Sequence, residues 1–162
     1  MELNSFDHCE DLSLVADVKK NGDVLEFSYL LAGNVGDVAI PPSLPPVRTD
    51  GLWNSTCFEA FISTGKTSYL ELNFAPSGQW AAYSFTAYRC GMRELDIAQP
   101  KISFAENRLA AAVELAARPG SALNLTAVIE RKNGISSYWA LAHPAGNRPD
   151  FHARDCFVSK LP

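Results

Sequence analysis

Between residues 52 and 90 the chain reads LWNSTCFEAFISTGKTSYLELNFAPSGQWAAYSFTAYRC, and no other stretch constrains the fold as tightly. Runs of aromatic and β-branched residues alternate there with short turn signals at Gly65-Lys66 and Pro76-Ser77-Gly78. That pattern predicts an antiparallel meander with strands near 56–64, 67–75 and 79–87. The register that sets Phe58, Ala60 and Ile62 beside Leu70, Leu72 and Phe74 makes one face wholly apolar, and such patterning fixes strand pairing. Cys57, Glu59 and Phe61 then share the other face with Tyr69, Glu71 and Asn73, with Glu59 across from or diagonal to Asn73 and close to Glu71.

The same strand pattern extends along the chain. Leu12 to Lys19 alternates and meets Val24 to Leu31 across Lys20-Asn21-Gly22-Asp23, a hairpin signal. Leu123 to Arg131 turns at Asn133-Gly134 into Ile135 to Leu141, and Cys156 to Leu161 forms a last strand. Arg108 to Ala117 is Ala-rich and favours a helix on propensity. Read with period two, however, Leu109, Ala111, Val113 and Leu115 make one apolar row, which predicts a strand. Two irregular stretches interrupt the pattern: PPSLPPVRTDG at 41–51, an ordered crossover loop or lid, and AHPAGNRPDFHARD at 142–155. The expectation is an all-β chain, an antiparallel β-sandwich of about nine to eleven strands forming a single domain over residues 1–162.

Composition narrows the partners. The chain is 47% hydrophobic and 20% charged, as in an ordinary globular protein. Its 14 Lys and Arg are scattered against 18 Asp and Glu, so no basic stripe exists to bind nucleic acid or an anionic membrane. The N-terminus is acidic where a signal peptide would be basic, and no run approaches the ~20 apolar residues of a membrane helix. A soluble, cytoplasmic protein is expected. The four cysteines form no CxxC pair, which excludes a locally spaced zinc site, and all four are expected reduced.

Carboxylates on one sheet face repel unless water, a cation or ligand hydroxyls lie between them. A strand pair bearing Glu59 and Glu71 is more often simply solvated. Against that stands the company of Phe61, Tyr69, Trp80, Tyr83, Phe85 and Tyr88, more aromatic surface than one core face takes. Trp53, after the proline loop, either caps the core edge or offers a stacking platform; Trp139, mid-strand in SSYWAL, has the same two readings, and Trp80 reads as core. Arg89 could fork onto paired hydroxyls or pair with a surface carboxylate. His143 and His152 could bind a metal with Asp150, although loop histidines more often hydrogen-bond to backbone or water, and no metal site is assigned. The chain has no GxSxG, HExxH or P-loop. Glu59 and Glu71 could pair as in a glycosidase, but nothing singles out an acid, so no catalytic residue and no enzyme is expected.

The blocks LWNSTCFEAFI, YLELNFAPSGQWAAYSF, YRCGM and YWALAHPAGNRPDFH resemble the bacterial DOMON-like proteins related to family 9 carbohydrate-binding modules, from about Leu44 to Phe157. The resemblance implies a sandwich of that type, whose members bind sugars or, in some branches, haem. It implies further that Glu59 matches the acidic residue of the E-x-F-I strand, and that Trp53, six positions earlier, clamps a sugar ring with Trp139 as second clamp. The expected function is a non-catalytic module for a small ligand, a carbohydrate, without a cofactor. Trp53 and Trp139 would stack on the ring while Glu59, Glu71, Asn73 and Arg89 hydrogen-bond to it. Two alternatives stay open. One is a haem-binding electron-transfer domain using Met92 with His143 or His152. The other is a protein-interaction module using the same aromatic face.

Overall fold

The computed structural model describes residues 1–162, and the chain is all-β. Its strands are β1 (Glu2–Ser5), β2 (Leu12–Asn21), β3 (Val24–Gly33), β4 (Cys57–Ser63), β5 (Tyr69–Phe74), β6 (Trp80–Phe85), β7 (Arg93–Glu94), β8 (Lys101–Ala105), β9 (Arg108–Glu114), β10 (Ala122–Glu130), β11 (Ser136–Ala140) and β12 (Ser159–Lys160). They form one curled antiparallel sheet in the order β7-β6-β5-β4-β10-β11-β1-β2-β3-β9-β8, with β12 beside β10. Arg108 to Glu114 is a strand, as its period-two row predicts. Three short strands lie outside the sequence expectation: β1, β7 and β8. The strand expected from Cys156 to Leu161 is reduced to a 3-10 turn at Arg154–Cys156 followed by the two residues of β12.

The seam of the curl is β1. Glu2 and Leu3 pair with Val15 and Leu14 of β2, whereas Asn4 and Ser5 pair with Ala140 and Trp139 of β11. One four-residue strand therefore joins the β2-β3-β9-β8 half to the β11-β10-β4-β5-β6-β7 half, and the two halves turn their apolar faces toward each other. Phe27 of β3 meets Phe74 of β5 with ring centroids 5.5 Å apart, and Tyr29 meets Phe58 at 5.2 Å. The Tyr29 hydroxyl crosses the core to donate to the backbone carbonyl of Glu59 at 2.6 Å, so the buried phenol is satisfied.

The two halves differ in their outer faces. β2 alternates buried and exposed residues, as a strand with one wet face should. β4 and β5 are buried on both faces along nearly their whole length. Their second face is covered by a smaller apolar cluster that includes Leu52, Phe61, Tyr69, Tyr83, Phe85 and Phe157, with Phe151 packed against it. The proline loop runs along the start of β6, on the edge that β7 pairs further along: Thr49 N–H donates to the Trp80 carbonyl at 2.8 Å and Trp80 N–H donates back to the Val47 carbonyl at 3.3 Å. The Arg48 guanidinium lies 4.3 Å from the centre of the Trp80 ring system and donates to the carbonyls of Ala82 and Leu95. This loop screens an edge that would otherwise be open to pairing.

Candidate functional site

The second face of β4, β5 and β10 is organised in cross-strand rows. In one row Thr126, Glu59 and Asn73 are paired in turn; in the next, Asn124, Phe61, Glu71 and Tyr83. The pairing of Glu59 with Asn73 and of Phe58 with Phe74 is the register that apolar patterning predicts. These polar groups are not solvated. Glu59 is 2% exposed, Glu71 5% and Asn73 0%, beneath the chain that follows β11.

Above the rows lies a cavity of about 510 Å³, open to solvent on one side, in the size range of small-molecule sites. Trp53, Glu59, Glu71 and Arg89, four of the residues singled out from the sequence, line it. Trp53 owes its position to a single 3-10 turn, Leu52–Asn54, which starts after Gly51 at φ 74°, a left-handed backbone suited to glycine. Leu52 is buried under the turn, so the next side chain projects outward; the indole is 37% exposed and meets Tyr83 edge-on at 6.1 Å. Asn73 sits beneath the wall rather than on it. Its Nδ2 donates to Glu71 Oε1 at 2.9 Å and holds that carboxylate in place.

Trp139 does not join the site. It pairs with Ala127, whose side chain belongs to the main core, so strand alternation sends the indole inward; it is 3% exposed and donates from Nε1 to Ser137 Oγ at 2.9 Å. Its neighbour Tyr138, paired with Val128, is the β11 aromatic on the cavity wall. The parity of β10 holds this information, since Leu125, Ala127 and Ile129 form its core row and Val128 falls on the other face.

Residues 142–155 supply the far wall, where the sequence reading placed a candidate metal site and, with Met92, a haem ligand at His143 or His152. Phe151 and His152 line the cavity. His143 does not: its Nε2 donates to the Asn4 carbonyl at 2.8 Å. No group of three or more His, Cys, Asp or Glu is placed to hold a metal ion. Asp150 instead accepts from the Tyr88 hydroxyl at 2.7 Å, from Arg89 Nη2 at 2.8 Å and from the His152 N–H at 3.1 Å, tying this loop to the turn after β6. Burial works to raise the Asp150 pKa, but the bonds from Tyr88 and Arg89 outweigh it and hold the carboxyl below its ordinary value.

The floor is electrostatically unusual. Burial, and then the nearby charge of Glu71, push the Glu59 carboxyl well above the usual carboxylate range, against a weaker opposing bond from Thr126. Glu71 is also raised by burial, offset by Asn73 and by the field of Arg89. Thr126 Oγ1 donates to Glu59 Oε2 at 3.4 Å, while Glu59 Oε1 has no partner in the protein. Desolvation pulls His152 down to about 4, so it is neutral at physiological pH and its 3.8 Å approach to Glu71 is not an ion pair. The Tyr69 hydroxyl accepts the Arg89 backbone N–H at 3.2 Å and meets His152 Nδ1 at 2.7 Å, and we assign its proton to that bond. Met92 lines the same cavity, but the residues present do not fit a haem. His152 commits Nδ1 to Tyr69 and faces Glu71 with Nε2, and the single cationic side chain on the wall, Arg89, is already paired with Asp150.

No family model matches the chain, and no curated protein does. Among solved structures it is similar to a "putative carbohydrate-binding protein" from Bacteroides uniformis, with a TM-score of 0.67 over 96% of this chain and 82% of that one. Sequence identity is 12%, so the likeness shows the fold.

Proposed function

We propose that this protein is a non-catalytic binding module of the DOMON and family 9 type, and that the cavity beneath Trp53 takes a carbohydrate. The observation that carries this reading is Glu59. A carboxyl group 2% exposed, with one oxygen lacking a donor in the protein, is costly to maintain unless a ligand completes its hydrogen bonds. A sugar supplies what the site lacks. Its hydroxyls would donate to Glu59 and Glu71, and a C–H face of the ring would lie on the exposed indole of Trp53. Tyr138 takes the place expected of Trp139 as the second aromatic group, and Asn73 acts through Glu71. The similar Bacteroides uniformis protein, described as carbohydrate-binding, supports the same reading.

The test is a thermal-shift screen of the purified protein against mono- and disaccharides, with haem and divalent cations in the same panel. A ligand that binds only the native state raises the melting temperature with its occupancy. A sugar-dependent rise that disappears in Trp53→Ala is the expected result. A rise unaffected by that substitution would move the site elsewhere, and silence across every sugar would favour a surface that binds protein.

A further inference from the structure

The acids that line the cavity lack basic partners of their own. Glu59 and Glu71 stand in successive rows of adjacent strands, a diagonal pair roughly 7–8 Å apart at the backbone, which long side chains can span. Both are buried, and both line the cavity. Of the lining residues only Arg89 and His152 are basic. Arg89 spends a guanidinium N–H on Asp150 at 2.8 Å and is half exposed, so its charge is largely answered outside the floor. His152 gives its Nδ1 to Tyr69. A third acid, Asp50, accepts from the hydroxyl of Tyr83, the residue paired with Glu71. Two buried carboxyl groups thus face the cavity, the one cation near them, Arg89, is already paired with Asp150, and Glu59 Oε1 has no donor in the protein.

Half of the remaining wall is aromatic: Phe61, Phe85, Tyr138 and Phe151 line the cavity with the two acids, and Trp53 stands at the rim. Carboxylates over a ring-lined cavity favour a cation more than a neutral hydroxyl, because charge-assisted N⁺–H···O⁻ bonds are stronger and ring faces attract positive charge. From the unpaired Glu59 oxygen, the buried Glu71 carboxyl beside it and the aromatic part of the wall, we propose that the ligand is an amino sugar whose protonated amine sits between the two carboxyl groups while its ring lies on Trp53. The proposal rests on the reading of this cavity as a sugar site and adds the charge of the ligand.

Isothermal titration at neutral pH and low ionic strength tests it with matched pairs: glucosamine and glucose, galactosamine and galactose, mannosamine and mannose. The expected result is that one amine binds about tenfold or more tightly than its neutral parent. N-acetylation of that amine, which removes the charge and keeps the ring, should abolish the preference. In Glu59→Gln and Glu71→Gln, each a near-isosteric change, the preference should shrink while the neutral sugar loses less. A neutral sugar that binds as tightly as its amine overturns the charge assignment and leaves the sugar site standing. Failure of all six overturns the amine and the sugar reading together.

Discussion

At the scale of single residues, Glu59 gives the most direct test of the site's physics. Its folded pKa is raised above the unfolded value, so the native protein keeps a proton that the unfolded chain has already lost. Stability must then fall as pH rises from the ordinary carboxylate value through the raised one. In Glu59→Gln that dependence is absent. Variant and parent should unfold at similar temperatures near pH 4.5, and the variant should become steadily more stable than the parent toward pH 8. His152 works in the opposite sense: its folded value of about 4 lies below 6.5, so the stability it contributes is present above 6.5 and lost as pH falls toward 4. Both proteins contain His152, so paired melting curves isolate Glu59. A constant difference across the range would show that Glu59 is ionised in the native state throughout. Trp53→Ala, by contrast, should change stability by no more than about 0.5–1 kcal/mol in thermal or urea unfolding, because a partly exposed rim residue has little core packing to lose.

At the scale of elements, register and parity decide what each strand contributes. Phe74 sits in the core row of β5 against Phe27 and Phe58, and Phe74→Ala should cost about 3–5 kcal/mol in urea unfolding. Gly33 ends β3 at φ 94°, where an added Cβ would stand 2.3 Å from the backbone oxygen of Asp11. Gly33→Ala should therefore cost about 2–3 kcal/mol, since neither backbone can give way. The register of β4 on β5 was legible in the sequence because Phe58, Ala60, Ile62 and Leu70, Leu72, Phe74 admit one apolar pairing within a short loop. The orientation of Trp139 was not legible from its own strand, where Ser136, Ser137, Tyr138 and Trp139 show no clean alternation. It depends on pairing with Ala127 of β10, a contact made through the fold. The short β1, β7 and β8 escaped for a related reason: two to five residues carry too little pattern to stand out, and their pairing to longer neighbours makes them strands.

At the scale of the whole molecule, what turns a polar sheet face into a cavity is the segment after β11. Nothing in AHPAGNRPDFHARD states that it will cover Glu59 and Glu71; that follows from Asp150 reaching Tyr88 and Arg89 some 60 residues earlier in the chain. Asp150→Ala should release this tie, raise amide exchange over residues 149–153, and cost about 1–2 kcal/mol of stability given the part-exposed geometry of the pair. Unchanged exchange there would mean that Phe151 and Phe157, packed on Phe61, hold the segment without help. The seam at β1 has a consequence for how the protein is made. Glu2 and Leu3 can pair with β2 early, but Asn4 and Ser5 find their partners only at Ala140 and Trp139, so on the ribosome the second half of the strand must wait until β11 has emerged. Until then β2 and β3 can pair as a hairpin, but the two halves of the sheet stay unjoined, their aromatic faces exposed to whatever chaperone or neighbouring nascent chain meets them first.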